Sequence, residues 1–239
     1  MKTKHQLFIH LFLIIGSLIL FSSCDEIIIG SGKVVKESRN VNSFKAIDIS
    51  GSFKIFLSQG DNESLMIEAD DNLMKYIKSH VSGGTLYLET IGYNLKSTTL
   101  KAYITIKVLN NIEASGAVKI TGETPLDIDD LSIEVSGAAN LNIELYGDKL
   151  ELKVSGAGKG SMKGNIDKAV IKLSGASKLF AEELIVNNID IEISGAGSAK
   201  VNVINELDAS ISGAGNIRYA GNPKVHSNIS GAGKVKRIE

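Results

Sequence analysis

Residues 152–177 read LKVSGAGKGSMKGNIDKAVIKLSGAS, in which the tetrapeptide Ser-Gly-Ala-x occurs twice, 19 residues apart. The whole chain carries seven such copies, with successive spacings of 21, 19, 19, 20, 18 and 18 residues, beginning at Ser115, Ser136, Ser155, Ser174, Ser194, Ser212 and Ser230. A degenerate eighth copy, Ser50-Gly51-Ser52, lies far upstream. A fixed period of this length indicates a solenoid, in which each repeat stacks on the next.

The residues before each serine alternate between apolar and polar. The position directly before the serine is apolar in every copy, and the third position before it is apolar in all copies except the last, which has Ser227. The position between them is charged or polar throughout: Glu113, Glu134, Lys153, Lys172, Glu192, Ser210 and Asn228. Alternation predicts a strand with one buried and one wet face. Because it resumes after the motif, each repeat is expected to hold two short strands joined at a Ser-Gly-Ala corner.

Two architectures suit a repeat of this length: a parallel β-helix with one coil per repeat, and a meander of hairpins. A stacked coil brings identical corner residues together, which favours small side chains and a glycine at Gly51, Gly116, Gly137, Gly156, Gly175, Gly195, Gly213 and Gly231. A meander favours Asn-Gly or Asp-Gly at its tips, and the sequence has no such systematic signal. The pattern therefore favours an all-β fold, a parallel β-helix over residues 111–239.

Residues 33–110 form a β-rich portion without the 19-residue period, expected to pack onto or cap the stack. Strand patterns flank Ser50-Gly51-Ser52, and further strands are predicted on both sides of residues 70–79. That segment, DDNLMKYIKS, is the one short helix candidate, with Asp70 or Asp71 as its N-cap.

The N-terminus has the pattern of a secretory signal over residues 1–23. Lys2 and Lys4 precede an apolar stretch that is too short and wrongly flanked for a stable membrane span. The only cysteine, Cys24, follows Leu20-Phe21-Ser22-Ser23, which is similar to a bacterial lipobox. We therefore expect an exported protein that is lipid-anchored at Cys24, in the outer membrane or on the surface of a Gram-negative cell. Residues 24–32 would form a short tether.

Charge and residue types exclude several functions. Removing residues 1–23 leaves 24 basic and 27 acidic residues, a balance that gives no overall electrostatic attraction to nucleic acid or to an anionic membrane. His80 and His226 lie far apart in sequence and are expected to be solvated rather than metal ligands. No aspartate recurs at a fixed offset, which argues against a calcium ladder through residues 127–130. The corner serines lack a nucleophile's flanking pattern and are expected to bond the backbone.

The pattern from Phe44 through Gly51 to Gln59-Gly60, followed by Asp71 to Ile77 and Gly83-Gly84-Thr85-Leu86, resembles the putative auto-transporter adhesin, head GIN domain family. The serial Ser-Gly-Ala copies and the closing run from Tyr219 to Val225 are similar as well, so the resemblance covers residues 35–238. It implies a right-handed β-helix, export and frequent lipid anchoring. It implies adhesion only through the family's name, and it supplies no catalytic or ligand residues.

The leading functional hypothesis is a non-catalytic cell-envelope lipoprotein that presents a rigid β-helix for adhesion or ligand binding. An extracellular glycan or protein is the expected ligand, with no cofactor, metal or nucleic acid. The alternatives are a polysaccharide-active β-helix enzyme and a purely structural envelope component. The enzyme would need clustered carboxylates with Lys or Arg on one face, and the mature chain has only Arg39, Arg218 and Arg237 and no tryptophan. The oligomeric state stays open.

Overall fold

The structure is a computed structural model that describes residues 27–91, 94–97 and 99–238. The predicted signal peptide and Cys24 lie outside these residues. The described part is built from strands and one short 3-10 helix, Met74–Tyr76, so the all-β prediction is confirmed. The strands are β1 (Ile27–Ile29), β2 (Val34–Arg39), β3 (Ala46–Gly51), β4 (Lys54–Gln59), β5 (Ser64–Asp70), β6 (Ile77–Ser82), β7 (Thr85–Thr90), β8 (Asn94–Lys96), β9 (Leu100–Ile106), β10 (Asn111–Gly116), β11 (Lys119–Gly122), β12 (Leu126–Gly137), β13 (Asn140–Gly156), β14 (Lys159–Gly175), β15 (Lys178–Gly195), β16 (Ser198–Gly213), β17 (Asn216–Gly221), β18 (Lys224–Gly231) and β19 (Lys234–Arg237).

The repeats stack in parallel and in register, one coil on the next. Strands that enter the corner pair in the order β3, β10, β12, β13, β14, β15, β16 and β18. Strands that leave it pair in the order β4, β11, β13, β14, β15, β16, β17 and β19. The result is a solenoid of about seven turns with a spacing of about 19 residues. The prediction of a parallel β-helix is confirmed, and the hairpin meander is wrong.

The alternating residues form the core as the pattern predicts. Ile133, Ile171 and Ile191, each three residues before a corner serine, are at most 1% exposed and stack in one column inside the solenoid. Five residues after the serine, Ile120, Leu141 and Leu179 are likewise buried. Burying an aliphatic side chain of this size stabilises the fold by about 1.5–3 kcal/mol, so the interior columns hold the coils together.

The N-terminal portion supplies the first coil and covers one end of the stack. β3 and β4 stack directly on β10 and β11. On their other sides they pair in parallel with β7 and β9. The antiparallel strands β6 and β5 then cover β7 and β9, and β2 covers β5. The Gln59 side chain fastens this end, because its Nε2 donates to the carbonyls of Lys107 and Asp127, both at 3.1 Å.

The predicted helix over residues 70–79 is wrong. Only one 3-10 turn forms, held by bonds from Leu73 N–H to the Asp70 carbonyl and from Tyr76 N–H to the Leu73 carbonyl, both 2.9 Å long. From Ile77 onward the chain instead pairs antiparallel with β7. The Asp70 carboxylate does not cap this turn; it accepts from Gly32 N–H at 2.8 Å and from Ser97 Oγ at 2.9 Å. Tertiary pairing thus overrides the local helical pattern.

The far end of the solenoid is open. β18 pairs only with β16, and β19 pairs only with β17, so each has one free edge within the described chain. Lys234, Lys236 and Arg237 lie on β19, and charged side chains of this kind discourage edge-to-edge pairing. Among the helical segments of the described ranges, none is long and apolar enough to cross a membrane.

Candidate functional site

The predicted corner glycines form one column along the solenoid. All eight have a positive φ, from 83° at Gly175 to 128° at Gly51. A Cβ on Gly175 would lie 2.6 Å from the carbonyl oxygen of Gly156 in the preceding coil. That carbonyl accepts a hydrogen bond from Ala176 N–H at 3.0 Å, and the same bond recurs at the other corners. The glycines therefore serve the stacking of coils, and their column offers no side chain to a ligand.

The corner serines play a smaller part than expected. In the described chain Ser174 is the one corner serine whose hydroxyl bonds the backbone, donating to the Val154 carbonyl at a long 3.4 Å. The prediction that the corner serine hydroxyls bond the backbone is therefore wrong for most corners of the described chain. The backbone at the corner is bonded instead between the alanine N–H of one coil and the glycine carbonyl of the preceding coil. Most of these hydroxyls face solvent.

The outer surface just after the corner carries two columns of basic and aromatic side chains, which we name the basic face. The first column crosses nine stacked strands and holds a lysine on six of them and no acid, in the order Lys101, Lys54, Lys119, Asn140, Lys159, Lys178, Ser198, Asn216 and Lys234. The second column, two residues further along each strand, is also free of acids: Tyr103, Phe56, Thr121, Asn142, Ser161, Phe180, Lys200, Arg218 and Lys236.

Most cations of the basic face lack a carboxylate partner. Lys101 contacts Glu68 at 2.8 Å and Lys200 contacts Glu182 at 2.7 Å. Lys101 holds the pKa of Glu68 below its ordinary value, and Glu68 in turn raises the pKa of Lys101. No ion pair within the described ranges involves the other seven, Lys54, Lys119, Lys159, Lys178, Arg218, Lys234 and Lys236, all of which are exposed. Like charges directly opposite each other in a sheet repel. Because most of these cations have no carboxylate partner, the repulsion between them is not neutralised.

Aromatic rings interrupt the positive charge. The Phe180 ring is half-buried between two cations, with Lys159 Nζ 5.3 Å and Lys200 Nζ 5.7 Å from its centroid. At the other end, Phe56 and Tyr103 stack with centroids 4.9 Å apart. The Phe180 contacts draw Lys159 and Lys200 toward the sheet surface through cation–π attraction. The basic face therefore combines fixed cations with flat apolar rings.

The outer surface before the corner has the opposite charge, and we name it the acidic face. It carries seven carboxylates and two lysines in two columns: Asp48, Glu113, Glu134, Lys153, Lys172 and Glu192 in one, and Glu151, Asp190 and Asp208 in the other. Burial first, and then the neighbouring Glu113 and Glu89, raise the pKa of Asp48. The near-neutral balance of the chain thus conceals two faces of opposite sign.

An open cleft of about 700 Å³ lies beside the second coil. Its lining includes Asp127, Asp129, Asp130 and Asp148, together with the exposed ring of Tyr146. The Tyr146 hydroxyl donates to Glu144 at 2.8 Å, which raises the pKa of Tyr146. In the described part of the chain these aspartates do not bring three ligand atoms within 4.8 Å of one another, so they form no compact metal-binding group.

The two histidines lie at opposite ends of the solenoid. The ring of His80 stacks on Tyr87 with centroids 4.9 Å apart. His226 Nε2 lies 3.5 Å from Glu206 Oε1, and with Asp208 they bring three potential ligand atoms within 4.8 Å of one another. Glu206 also faces Lys224 at 3.9 Å, and Asp208 and His226 are exposed. The contact between Glu206 and Lys224 is an exposed surface ion pair of the kind that contributes little to stability.

Sequence reasoning missed the basic face although a simple signal marked it. The lysine column lies four residues after each serine, so Lys119, Lys159, Lys178 and Lys234 share one offset in the repeats. The position two residues before the serine, by contrast, carries both glutamate and lysine and so marks no face of one sign. Sequence reasoning also missed Gly147 and Gly164, which lie between successive Ser-Gly-Ala corners. An added Cβ would stand 1.7 Å from a carbonyl oxygen at Gly147 and 1.9 Å from one at Gly164.

The comparisons with known families and structures agree with this architecture. A family model described as putative auto-transporter adhesin, head GIN domain, matches residues 43–223. A search of curated proteins found no match. An adhesin-like family indicates a protein that is exported or located at the cell surface.

Solved structures from Bacteroides and Parabacteroides have the same fold over almost their whole length. A putative adhesin from Bacteroides fragilis NCTC 9343 is 27% identical, with a TM-score of 0.83 over 88% of this chain and 100% of its own. A putative adhesin from Parabacteroides merdae ATCC 43184 is 25% identical, with a TM-score of 0.72 over 90% and 100%. A putative lipid binding protein from Parabacteroides distasonis ATCC 8503 is 23% identical, with a TM-score of 0.77 over 90% and 100%. The last likeness concerns the fold alone.

Proposed function

The chain belongs to the putative auto-transporter adhesin, head GIN domain family, and from this membership we propose that it is an exported, lipid-anchored protein of the cell envelope that binds an extracellular ligand without catalysis. The adhesin names of the similar structures from B. fragilis and P. merdae support an adhesin-like role. The lipobox-like sequence before Cys24 supports the anchor.

The observation that carries the binding role is the basic face. Its cations recur at the same position coil after coil, on strands held in register by backbone bonds from one coil to the next. Because the backbone is already ordered, binding costs only the ordering of side chains, and the array can make the same contact several times with a repetitive ligand. A scaffold for multivalent attachment needs these properties.

The lipid anchor is tested by one substitution. Cys24→Ala should abolish incorporation of a labelled fatty acid and release the protein from the membrane fraction, while the solenoid stays folded. Cys24 is the only cysteine, so no other thiol can take its place. Persistence of the label in the variant would sink the anchor and leave the binding role standing.

The binding role is tested with the full-length protein in a neutral detergent. It is passed over immobilised neutral glycans, anionic glycans and extracellular matrix proteins, with detergent micelles alone as the control. We expect saturable binding to at least one member of the panel. A silent panel would count against adhesion and favour the alternative of a structural envelope component.

The acidic cleft is the specific observation that favours a second candidate, a polysaccharide-active enzyme. Several carboxylates line it together with Tyr146 and Lys45, and glycoside hydrolysis uses paired carboxylates. An acidic cleft, however, repels the acidic polysaccharides that many β-helix enzymes cleave. Incubation with neutral and acidic polysaccharides should release no reducing ends. Release that disappears in both Asp127→Asn and Asp148→Asn would establish the enzyme instead.

A further inference from the structure

We propose that the basic face binds a linear anionic polysaccharide, carboxylated or sulfated, whose chain runs along the solenoid axis. The inference rests on the proposed function, because an exported protein meets such polymers outside the cell. It adds the chemistry of the ligand, its direction across the coils and the residues that contact it.

The shape of the basic face suits a linear polymer. It is two side chains wide and nine stacked strands long, from the strand of Lys101 to that of Lys234. Neighbouring strands lie about 4.8 Å apart, so the face extends for about 38 Å. Its exposed cations therefore form a narrow stripe rather than a round patch, and a polymer with charges along its length can meet them in succession.

The charge of the face calls for a polyanion. Lys54 stacks on Lys119, and Lys159 stacks on Lys178, with each pair on directly opposed strands. Such pairs repel in the free protein. Within the described ranges none of these four lysines forms an ion pair with a carboxylate. An anionic chain laid over the lysine column would relieve the repulsion, which gives binding a favourable term specific to this face.

Phe180 favours an anionic polymer made of sugars over an anionic polymer that offers only its charges. Its ring lies in the second column beside Lys178 on the same strand, with its neighbouring lysines held by cation–π contacts. A pyranose presents a face of C–H groups that packs on an aromatic ring while its acidic groups point to the flanking cations. One ring and its cations can thus recognise both parts of an acidic sugar.

A membrane surface fits the same face less well. Peripheral binding combines cations with apolar side chains that enter the interface. Of the large apolar side chains exposed in the described residues, none belongs to the two columns of the basic face. Anionic lipid is therefore kept as an outcome of the test rather than as the proposed ligand.

The experiment compares two pairs of stacked lysines. Lys159→Gln with Lys178→Gln removes two charges from adjacent coils of the basic face. Lys149→Gln with Lys168→Gln is the matched control, because those lysines are also exposed and stacked in register on adjacent coils, but they lie before the corner. Binding of the full-length protein in neutral detergent is measured to immobilised dextran sulfate and polygalacturonate, with uncharged dextran as the reference surface. Equal melting temperatures of both variants and the wild type establish that folding is unchanged.

We expect the wild type to bind the two anionic polymers but not dextran, and to lose affinity as NaCl rises from about 0.05 M to about 0.5 M. The basic-face variant should bind about tenfold more weakly, since two cationic contacts are lost. The control variant should stay within about twofold of the wild type. Phe180→Ala should weaken binding to polygalacturonate without a change in the salt dependence.

Three results would overturn the inference. An equal loss in the control variant would mean that net charge alone governs binding. Failure to bind either anionic polymer would reject the ligand class. Binding to vesicles containing phosphatidylglycerol, with the same loss in the basic-face variant and tighter than to the polymers, would assign the face to a membrane. If a neutral glycan or a matrix protein binds while both anionic polymers fail, the proposed function stands and only this inference falls.

Discussion

At the scale of the residue, the glycine at each corner is required by its neighbour in the preceding coil as much as by its own backbone angles. A positive φ alone admits glycine readily and other residues at a modest cost. At every corner of the column after Gly51, the nearest atom to an added Cβ is a backbone carbonyl oxygen that already accepts a bond from the coil of that same glycine. That oxygen cannot move without breaking the inter-coil bond, so the column requires glycine for two reasons at once.

A comparison of two glycines separates these reasons. Gly175 has a φ of 83° and a Cβ there would stand 2.6 Å from the Gly156 carbonyl oxygen, whereas Gly84 has a φ of 78° with open space around it. We expect Gly84→Ala to lower the free energy of unfolding by about 1 kcal/mol and Gly175→Ala by about 3 kcal/mol. Urea unfolding of the two variants measures the difference. Equal losses would show that the carbonyl yields and that φ alone selects glycine.

Asp48 lies in the acidic face between Tyr87 and Glu113, and its raised pKa gives a second prediction with a defined sign. Between its ordinary pKa of 3.8 and the raised value, the folded protein retains a proton that the unfolded chain has released. Stability therefore falls as pH rises through this window, and at neutral pH the ionised carboxylate opposes folding. Asp48→Asn should raise the free energy of unfolding at pH 7 by about 0.5 kcal/mol, the size of an unfavourable cross-strand pair.

The same substitution should have no benefit at about pH 3, where Asp48 is protonated in both states. Glu123→Gln, which removes the same charge from an exposed position after β11, is the control and should leave stability unchanged at both pH values. Denaturant unfolding across this pH range measures both variants. A gain from Asp48→Asn that is independent of pH would reject the electrostatic explanation.

At the scale of the element, the sequence predicts the strands that enter and leave the corner but not the bends between corners. Alternation and the serine column specify one register at each Ser-Gly pair, where a slip would expose the core. The spacing of 20 residues between Ser174 and Ser194 is followed by 18 to Ser212, and the structure absorbs the difference as bulges between Ala181 and Asn188. Because those bends use different residues in each coil, no repeated motif marks them.

The N-terminal portion shows the opposite limit of sequence reasoning. Residues 70–79 have a local helical pattern, yet their outcome depends on β7, whose partner residues lie at 85–90. Long-range pairing of this kind leaves no periodic signal in the segment itself. Repeated elements could thus be predicted from the sequence because every copy reports the same environment, whereas the unique cap could not.

At the scale of the whole molecule, the solenoid is asymmetric in its surface and in its ends. The basic and acidic faces share a corner, and their opposite signs cancel in the overall balance. This is why the overall charge balance gives no attraction to nucleic acid or to an anionic membrane, although the arrangement of side chains concentrates cations on one face. The lysine column was readable from one offset in the repeats, but its stacking depends on which strands become neighbours, as does the lack of an ion-pair partner at most of its lysines in the described chain.

The two ends predict a gradient of local stability. Antiparallel strands cover the first coil, whereas β18 and β19 have a neighbour on one side only. Ile229 is 40% exposed in the last coil, while Ile193, at the same position of the repeat, is fully buried. In a stacked array each coil is stabilised mainly by its neighbours, and regions with few buried apolar contacts open most often. We therefore expect the last coil to open alone, without unfolding of the rest.

Hydrogen exchange resolves this gradient in the full-length protein. Peptides from β18 and β19 should exchange about 100-fold faster than peptides from β14 and β15, which corresponds to a difference of about 3 kcal/mol in opening free energy. Peptides from β7 and β9 at the covered end serve as the internal control and should exchange as slowly as the central coils. Equal protection from β7 to β19 would mean that the solenoid opens as one cooperative unit. Fast exchange at both ends would instead mean that the antiparallel strands do not act as a cap.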